Sequence, residues 1–267
     1  MNTCYETCIP KKFQMDKKQV SHLLKFLPAE DDRGRGRPPA EPIAMLQGIF
    51  YLLRTGCQWN ALPRCFGSSS TIHDFFKKLI KNNVFAKAWS DMLERYDWKV
   101  GLRLQEQSFD CSHKKAPLGG QATGCSPVDR SKIGTKEGVV TDGNGIPLAI
   151  GVAAGNLHDS RMCISVISAL RCHREPPFKT IELDAAFDAE IIRNELSKRG
   201  YDYRISPNGR RKKVCEERPK HRFRWVVERT HSWLNRFRRI LIRWEKLLPN
   251  FLGMMQFACF IIVSRKT

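Results

Sequence analysis

Residues 136–155, KEGVVTDGNGIPLAIGVAAG, decide how this chain folds. Asp142-Gly143-Asn144-Gly145 lies between two apolar runs, and such residues supply the turn backbone that a tight hairpin demands. Two antiparallel strands are therefore predicted here. Upstream, LQEQSFDCSH (104–113) is a short strand-like run, joined to the hairpin by the polar loop at 113–135. Downstream, HDSRMCISVISALRC (158–172) reads as a helix and TIELDA (180–185) as a buried strand. DAEIIRNELSKRG (188–200) reads as a helix ending at Gly200, and YDYRIS (201–206) as a strand. The segment HRFRWVVERTHSWLNRFRRILIRWEK (221–246) reads as one long last helix. Its apolar stripe runs through Phe223, Val226, Val227, Thr230, Leu234, Phe237, Leu241, Trp244 and Leu248 at three- and four-residue spacing.

The resulting order, β-β-β-α-β-α-β-α, predicts an α/β RNase H-like core, a mixed sheet flanked by helices. A small all-α, helix-turn-helix-like region precedes it. Residues 16–28 have the pattern of an amphipathic helix, and Ile43, Leu46, Ile49, Phe50 and Leu53 recur at helical spacing until Thr55-Gly56. Ser70 or Thr71 can cap a further helix whose inner face is Ile72, Phe75, Phe76 and Leu79, with Lys77, Lys78 and Lys81 outside. The expected division is residues 1–100 for the helical, DNA-binding part and 101–267 for the catalytic part. Within the first, Arg35 and Arg37 of the basic arm at 33–40 suit a narrow minor groove, the alternative being a solvated linker.

The 46 Lys and Arg against 27 Asp and Glu give a net charge of +19, which points to a polyanionic partner, nucleic acid first. Apolar runs such as FACFIIV (257–263) fall well short of the roughly 20 residues that span a bilayer. No transmembrane helix is expected, and the first residues lack an apolar signal core. The ten cysteines read as reduced packing thiols, and Cys163, Cys172 and His173 lack a second pair that would complete a zinc site.

Three acids stand out as candidates for catalysis and metal binding. Asp110 lies on a strand between Phe109 and Cys111, where an acid is costly unless paired or coordinating. Asp184 ends an apolar strand; the competing reading is a cap for the next helix, a role that Asp188 suits better. Glu228 shares a polar helix sector with Arg224, His231, Asn235 and Arg239, the alternative being an ion pair with Arg224 or Arg229. Two strand-borne aspartates and a helix-borne glutamate suit a hard divalent cation bound between protein and phosphate. Between residues 204 and 246, 15 Lys and Arg face four acids, so phosphate would be neutralised close to that site.

These residues resemble the DDE transposases of bacterial insertion sequences, in particular the insertion sequence five group. The resemblance rests on RGRPP (35–39), on residues 46–76, and on SFDCSH, RSKIGTK, TDGNGIPLAIGVAAGNLHDS, LDAAFDAE and RWVVERTHSWLNRFRRI. It implies a triad of Asp110, Asp184 and Glu228 holding two Mg²⁺ ions, with Mn²⁺ as substitute. It also implies cleavage and strand transfer of double-stranded DNA at element ends and target, at least a dimer on DNA, and a place in the bacterial cytoplasm at the nucleoid. Arg224, Arg229, Arg236, Arg238 and Arg239 would meet phosphate. Alternatives are a nuclease of the same fold without strand transfer, or a repurposed transposase that only binds DNA. The family signature Tyr-x2-Arg-x3-Glu-x6-Lys is met here by His221, Arg224, Glu228 and Asn235, and Ala185 and Phe187 replace the commoner basic residue and tyrosine.

Overall fold

The computed structural model describes residues 4–29, 40–126, 130–171, 174, 176–205 and 224–267. Helices α1 (Cys4–Cys8), α2 (Lys17–Leu24), α3 (Pro42–Thr55), α4 (Ser69–Lys81) and α5 (Val84–Lys99) come first. Local chemistry sets several of their ends. Asp16 and Gln19 form a reciprocal capping box at the start of α2. Pro42 opens α3, and Gly56, at φ 71°, closes it in the left-handed conformation that favours glycine. The cap of α4 falls on Ser68, earlier than Ser70 or Thr71, while Ile72, Phe76 and Leu79 are buried as expected.

The sheet contains β1 (Glu106–Lys115), β2 (Gly124–Cys125), β3 (Ile133–Asp142), β4 (Pro147–Ala154), β5 (Lys179–Leu183) and β6 (Tyr201–Ile205). Helix α6 (Asp159–Ile167) follows β4, α7 (Glu190–Lys198) follows β5, and α8 (Arg224–Asn235) comes after β6. The strand order is β4-β3-β1-β5-β6, with β3 antiparallel to both neighbours, β5 parallel to β1 and to β6, and the two-residue β2 also paired to β3. This is the RNase H-like arrangement. The β3–β4 turn is fixed by Asp142, whose carboxylate accepts the backbone N–H of Asn144 and Ile146 at 2.9 and 2.8 Å.

The long last helix is not one helix. α8 ends at Asn235; a single turn, α9 (Arg238–Leu241), and the 17-residue α10 (Leu248–Ser264) follow. Phe237 adopts an extended backbone that sends its ring and Ile240 into the core. Arg239 turns inward to Glu245, and Arg243 to the carbonyls of Gln121 and Glu245. Continued as a helix, the stripe would have buried Leu241 and Trp244, which are 45% and 36% exposed.

FACFIIV lies in α10, which is buried against α5 and packs on α4 and β4. Phe257 stacks on Phe85 at 4.5 Å, and Phe260 on His22 at 5.3 Å. The C-terminal helix thus joins the N-terminal helices to the sheet. Among the described residues, no helix is long and apolar enough to cross a membrane.

Candidate active site

β1 and β5 run parallel with Glu106 beside Thr180, Gln107 beside Ile181 and Ser108 beside Glu182. Two residues further along each strand direction, the same register reaches Asp110 and Asp184. The first is still within β1 and the second lies just past β5, so the two aspartates emerge at neighbouring points on one edge of the core. Asp110 Oδ1 accepts the N–H of Cys111 at 2.8 Å, and Asp184 Oδ1 that of Ala185 at 2.7 Å. Asp184 therefore does have a structural role, as the cap of the short turn Ala185–Phe187. The Asp188 carboxylate is instead buried in an ion pair with Arg193 at 2.5 Å, and Ala189 takes the N-cap position of α7.

Side chains alternate along a strand, so Asp110, Ser112 and Lys114 line one face of β1 while Phe109 packs on Phe187 across the other. Helix α8 covers the polar face with Glu228, His231 and Asn235, spaced three and four residues apart. Lys114 Nζ donates to Asn235 Oδ1 at 2.5 Å. Glu137, cross-strand from Ser112, accepts from Lys114 at 2.8 Å and from His231 Nδ1 at 2.9 Å, both on Oε1. Arg224, one turn before Glu228, reaches Asp184 at 2.8 Å and Glu228 at 3.2 Å. The intrahelical pair considered for Glu228 is present, and the same guanidinium also holds Asp184.

Burial pushes the Asp110 carboxyl above the usual aspartate range, with Asp184 acting in the same direction and His231, Cys111 N–H and Arg224 opposing. Burial alone would raise Glu137 too, but Lys114 and His231 hold it below the usual glutamate range. Among the described residues no three His, Cys, Asp or Glu side chains stand close enough together to grip a metal ion as placed. The donor set nevertheless fits a hard divalent cation: two carboxylates already share one cation, Arg224, and a third lies beside them in strand register.

Other candidate DNA contacts fall into three groups. Arg236 and Arg238 are exposed beyond α8, as are Lys77 and Lys81 on α4; Lys77 pairs with Asp74 at 2.8 Å, and Lys78 is half-buried. Arg229 is held between the rings of Trp225 and Trp233, at 4.6 and 4.9 Å, and donates to Asn144 O at 2.6 Å. Arg239, contrary to expectation, does not point outward: it is 4% exposed and donates to Glu245 and to the Cys57 carbonyl. Arg35, Arg37, His221 and the Cys172–His173 pair lie outside the described residues. Asp159 is the first residue of α6 and pairs with Lys136 at 2.5 Å, while His158 provides the cap. Lys114 and Glu137 were missed, although strand alternation already put Lys114 on the face of Asp110.

Comparison with known proteins places this architecture in a class. Residues 106–262 match the family described as "Transposase DDE domain", and residues 15–89 match "Putative transposase of IS4/5 family". The chain belongs to the DDE transposases of the IS4/5 insertion-sequence family. It is 34% identical over 151 residues to the "Putative transposase for insertion sequence element IS402" of Burkholderia cepacia, covering 52% of this chain and 67% of that protein. It is 29% identical over 134 residues to the corresponding IS6501 protein of Brucella ovis, covering 49% of this chain and 98% of the relative. Among solved structures it is similar to the piggyBac transposase synaptic complex with hairpin DNA, with TM-score 0.44, 12% identity, and coverage of 95% and 74%. It is also similar to the Mos1 mariner paired-end complex with Mn, with TM-score 0.29, 13% identity, and coverage of 92% and 86%.

Proposed function

We propose that this chain binds the terminal inverted repeats of its insertion sequence and catalyses metal-dependent cleavage and strand transfer through Asp110, Asp184 and Glu228. The observation that carries the reading is the gathering of the three carboxylates: two aspartates in one parallel-strand register, and a glutamate tied to one of them through Arg224.

Asp110, Asp184 and Glu228 would hold Mg²⁺, or Mn²⁺ in its place. Bound there, two divalent ions supply activation of the attacking oxygen and stabilisation of the leaving oxygen in an in-line displacement. Asp110 is fixed by the rigid centre of the sheet, and Asp184 by its cap on the following turn. Glu228 comes from a separate helix, so the site closes on substrate from two elements. In the protein alone, Arg224 neutralises Asp184 and Glu228; with the carboxylates engaged, its guanidinium is released toward a phosphate oxygen. Water as nucleophile nicks the element end, and the freed 3′-hydroxyl attacks target DNA, so no covalent protein intermediate is needed.

Arg236, Arg238, Lys77, Lys78 and Lys81 join Arg224 as the proposed phosphate contacts among the described residues, with Arg35 and Arg37 of the basic arm as minor-groove contacts. Arg229 serves as a brace for the two tryptophans. Residues 1–100 would recognise the repeat and 101–267 carry the chemistry, as at least a dimer on DNA in the bacterial cytoplasm. Incubation of labelled end DNA with Mg²⁺ or Mn²⁺ tests this. Cut and joined products support a transposase, cutting alone a nuclease of the same fold, and specific binding without chemistry a repurposed DNA-binding protein.

A further inference from the structure

Past Asp110, β1 continues for five residues to Lys115, and at that end of the sheet two segments of chain are sewn into one surface. Residues 115–121 run beside residues 242–248. Ile242 bridges Lys115 in parallel, and Arg243 N–H donates to Lys115 O at 2.8 Å. Further along, Gln121 N–H donates to Lys246 O at 2.9 Å and Leu248 N–H to the Gln121 side chain at 3.0 Å. The seam is built around Arg243, which is 1% exposed: its guanidinium donates to Gln121 O at 2.6 Å and to Thr135 Oγ1 at 3.2 Å, and lies over the Phe251 ring at 5.0 Å. Gly120 approaches Lys246 so closely that a Cβ there would collide with the Lys246 carbonyl.

What this seam shows to solvent is apolar and basic. Arg243 and Glu245 point inward, so Trp244 and Lys246 point out, the alternation of an extended chain. Leu118 lies midway along the seam, in the turn closed by Gly119 N–H on Ala116 O, and Leu247 follows Lys246. Leu118 and Leu247 are each 53% exposed. Lys115, Arg238 and Lys246 are exposed around them. No exposed acid balances these cations: residues 111–126 contain none, and residues 229–267 contain only Glu245, which is buried and bound by Arg239 at 2.6 Å. A second copy of this chain is a poor occupant, because a two-fold contact would set the same cations against each other. A duplex fits, with phosphates for the cations and an apolar groove edge between them.

We propose that this end of the sheet is a further duplex-binding surface, in which Lys115, Arg238 and Lys246 hold phosphates on either side of a minor groove and Leu118, Trp244 and Leu247 pack on the sugar edges between. The proposal rests on the DNA-binding part of the reading above and is independent of the triad. Five residues of strand measure about 16 Å, and successive base pairs stand about 3.4 Å apart. A duplex laid along β1 therefore meets this surface about five base pairs from the phosphate at Asp110.

The test is metal-free binding of a duplex that carries the element's terminal repeat and its flank, across a salt titration, with backbone footprinting and thermal unfolding alongside. Lys115→Ala combined with Lys246→Ala should weaken binding about tenfold and lower the slope of log K against log salt by about two, since each phosphate contact contributes about 0.9. The footprint about five base pairs from the cleavage position should fade while the rest persists. Trp244→Ala should weaken binding several-fold and leave the slope unchanged. Leu118→Ser, on the other segment, repeats that test if Trp244→Ala does not fold.

An unchanged slope and footprint in a folded Lys115→Ala, Lys246→Ala protein would overturn the proposal. So would Trp244→Ala or Leu118→Ser that turns a DNA-free oligomer into monomers in sedimentation while binding DNA as wild type does, because the surface would then belong to a second copy. A wild type that binds the duplex without cutting it removes the triad reading alone, whereas a wild type that binds no duplex removes both.

Discussion

Asp110 and Asp184 are neighbours because β1 and β5 are parallel and in a register that sets Ser108 beside Glu182. Each strand needs two more residues to reach its aspartate, so the pair is a property of strand alignment. The alignment depends on the buried residues Phe109, Ile181 and Leu183, far more than on the acids themselves.

Asp110→Asn, Asp184→Asn and Glu228→Gln should each lower metal-dependent cleavage by at least about 10³-fold, the several kcal/mol that a metal clamp contributes. Because Asp184 and Glu228 are half exposed, with side chains 48% and 52% accessible, their variants should unfold at nearly the wild-type temperature. Single-turnover rates beside calorimetric melting check this; a variant that melts early and cuts slowly would mean damage to the fold.

If Asp184 and Glu228 hold the metal as proposed, Arg224, which pairs with both, competes with it. Its pairs are partly exposed and worth at most about 1 kcal/mol. Arg224→Gln should therefore tighten Mn²⁺ binding by up to about fivefold in the absence of DNA. Calorimetric titration with Mn²⁺ reads this directly, and weaker binding would mean that Arg224 organises the site instead of occupying it.

Lys114→Met strands the Glu137 carboxylate in the core without its ammonium partner. Breaking a buried pair from one side costs about 3–5 kcal/mol. For a chain of this size that is a fall of roughly 6–20 °C in melting temperature. Lys114→Met combined with Glu137→Leu should recover part of it, since His231 and Asn235 each lose a partner as well, and a double variant as unstable as the single one would show that those neighbours, rather than the stranded carboxylate, set the loss.

His22 contributes to the pH dependence of stability near neutrality, beside His73, whose pKa burial also lowers. Burial lowers the His22 pKa below the ordinary 6.5, with Asp91 at 3.1 Å and the Ala88 carbonyl opposing. A histidine depressed in the folded state takes up its proton more readily when unfolded. Stability should then be level above about pH 7 and decline as pH falls below the unfolded value. His22→Gln should flatten the dependence of melting temperature on pH between about 5 and 7, and an unchanged slope would assign the dependence to another group.

Much of this was legible in the sequence, for identifiable reasons. The Asp142–Gly145 turn and the apolar runs around it are local signals, and the order of strands and helices along the chain follows from them and from the helical patterns at 158–172 and 188–200. The polar sector of α8 was also visible, because Arg224, Glu228, His231 and Asn235 keep helical spacing. What was not legible depends on contacts distant in sequence. The apolar stripe continues arithmetically past Asn235, but Phe237 and Arg239 are drawn into the core by partners that no periodicity reveals. Asp184 gained its cap because the chain turns immediately into Ala185–Phe187 rather than waiting for Asp188. The Lys114–Glu137 pair joins β1 to β3, and only the pairing of those strands makes the two residues adjacent.

The most direct measurement is cleavage and joining of DNA carrying the element's terminal repeats, with Mg²⁺ or Mn²⁺, by wild type and by Glu228→Gln. Joined product that requires the metal and disappears in Glu228→Gln is the predicted result. Joined product of equal yield from Glu228→Gln, or specific binding by wild type with no cutting under either metal, would contradict a catalytic role for the carboxylates that β1, β5 and α8 bring together.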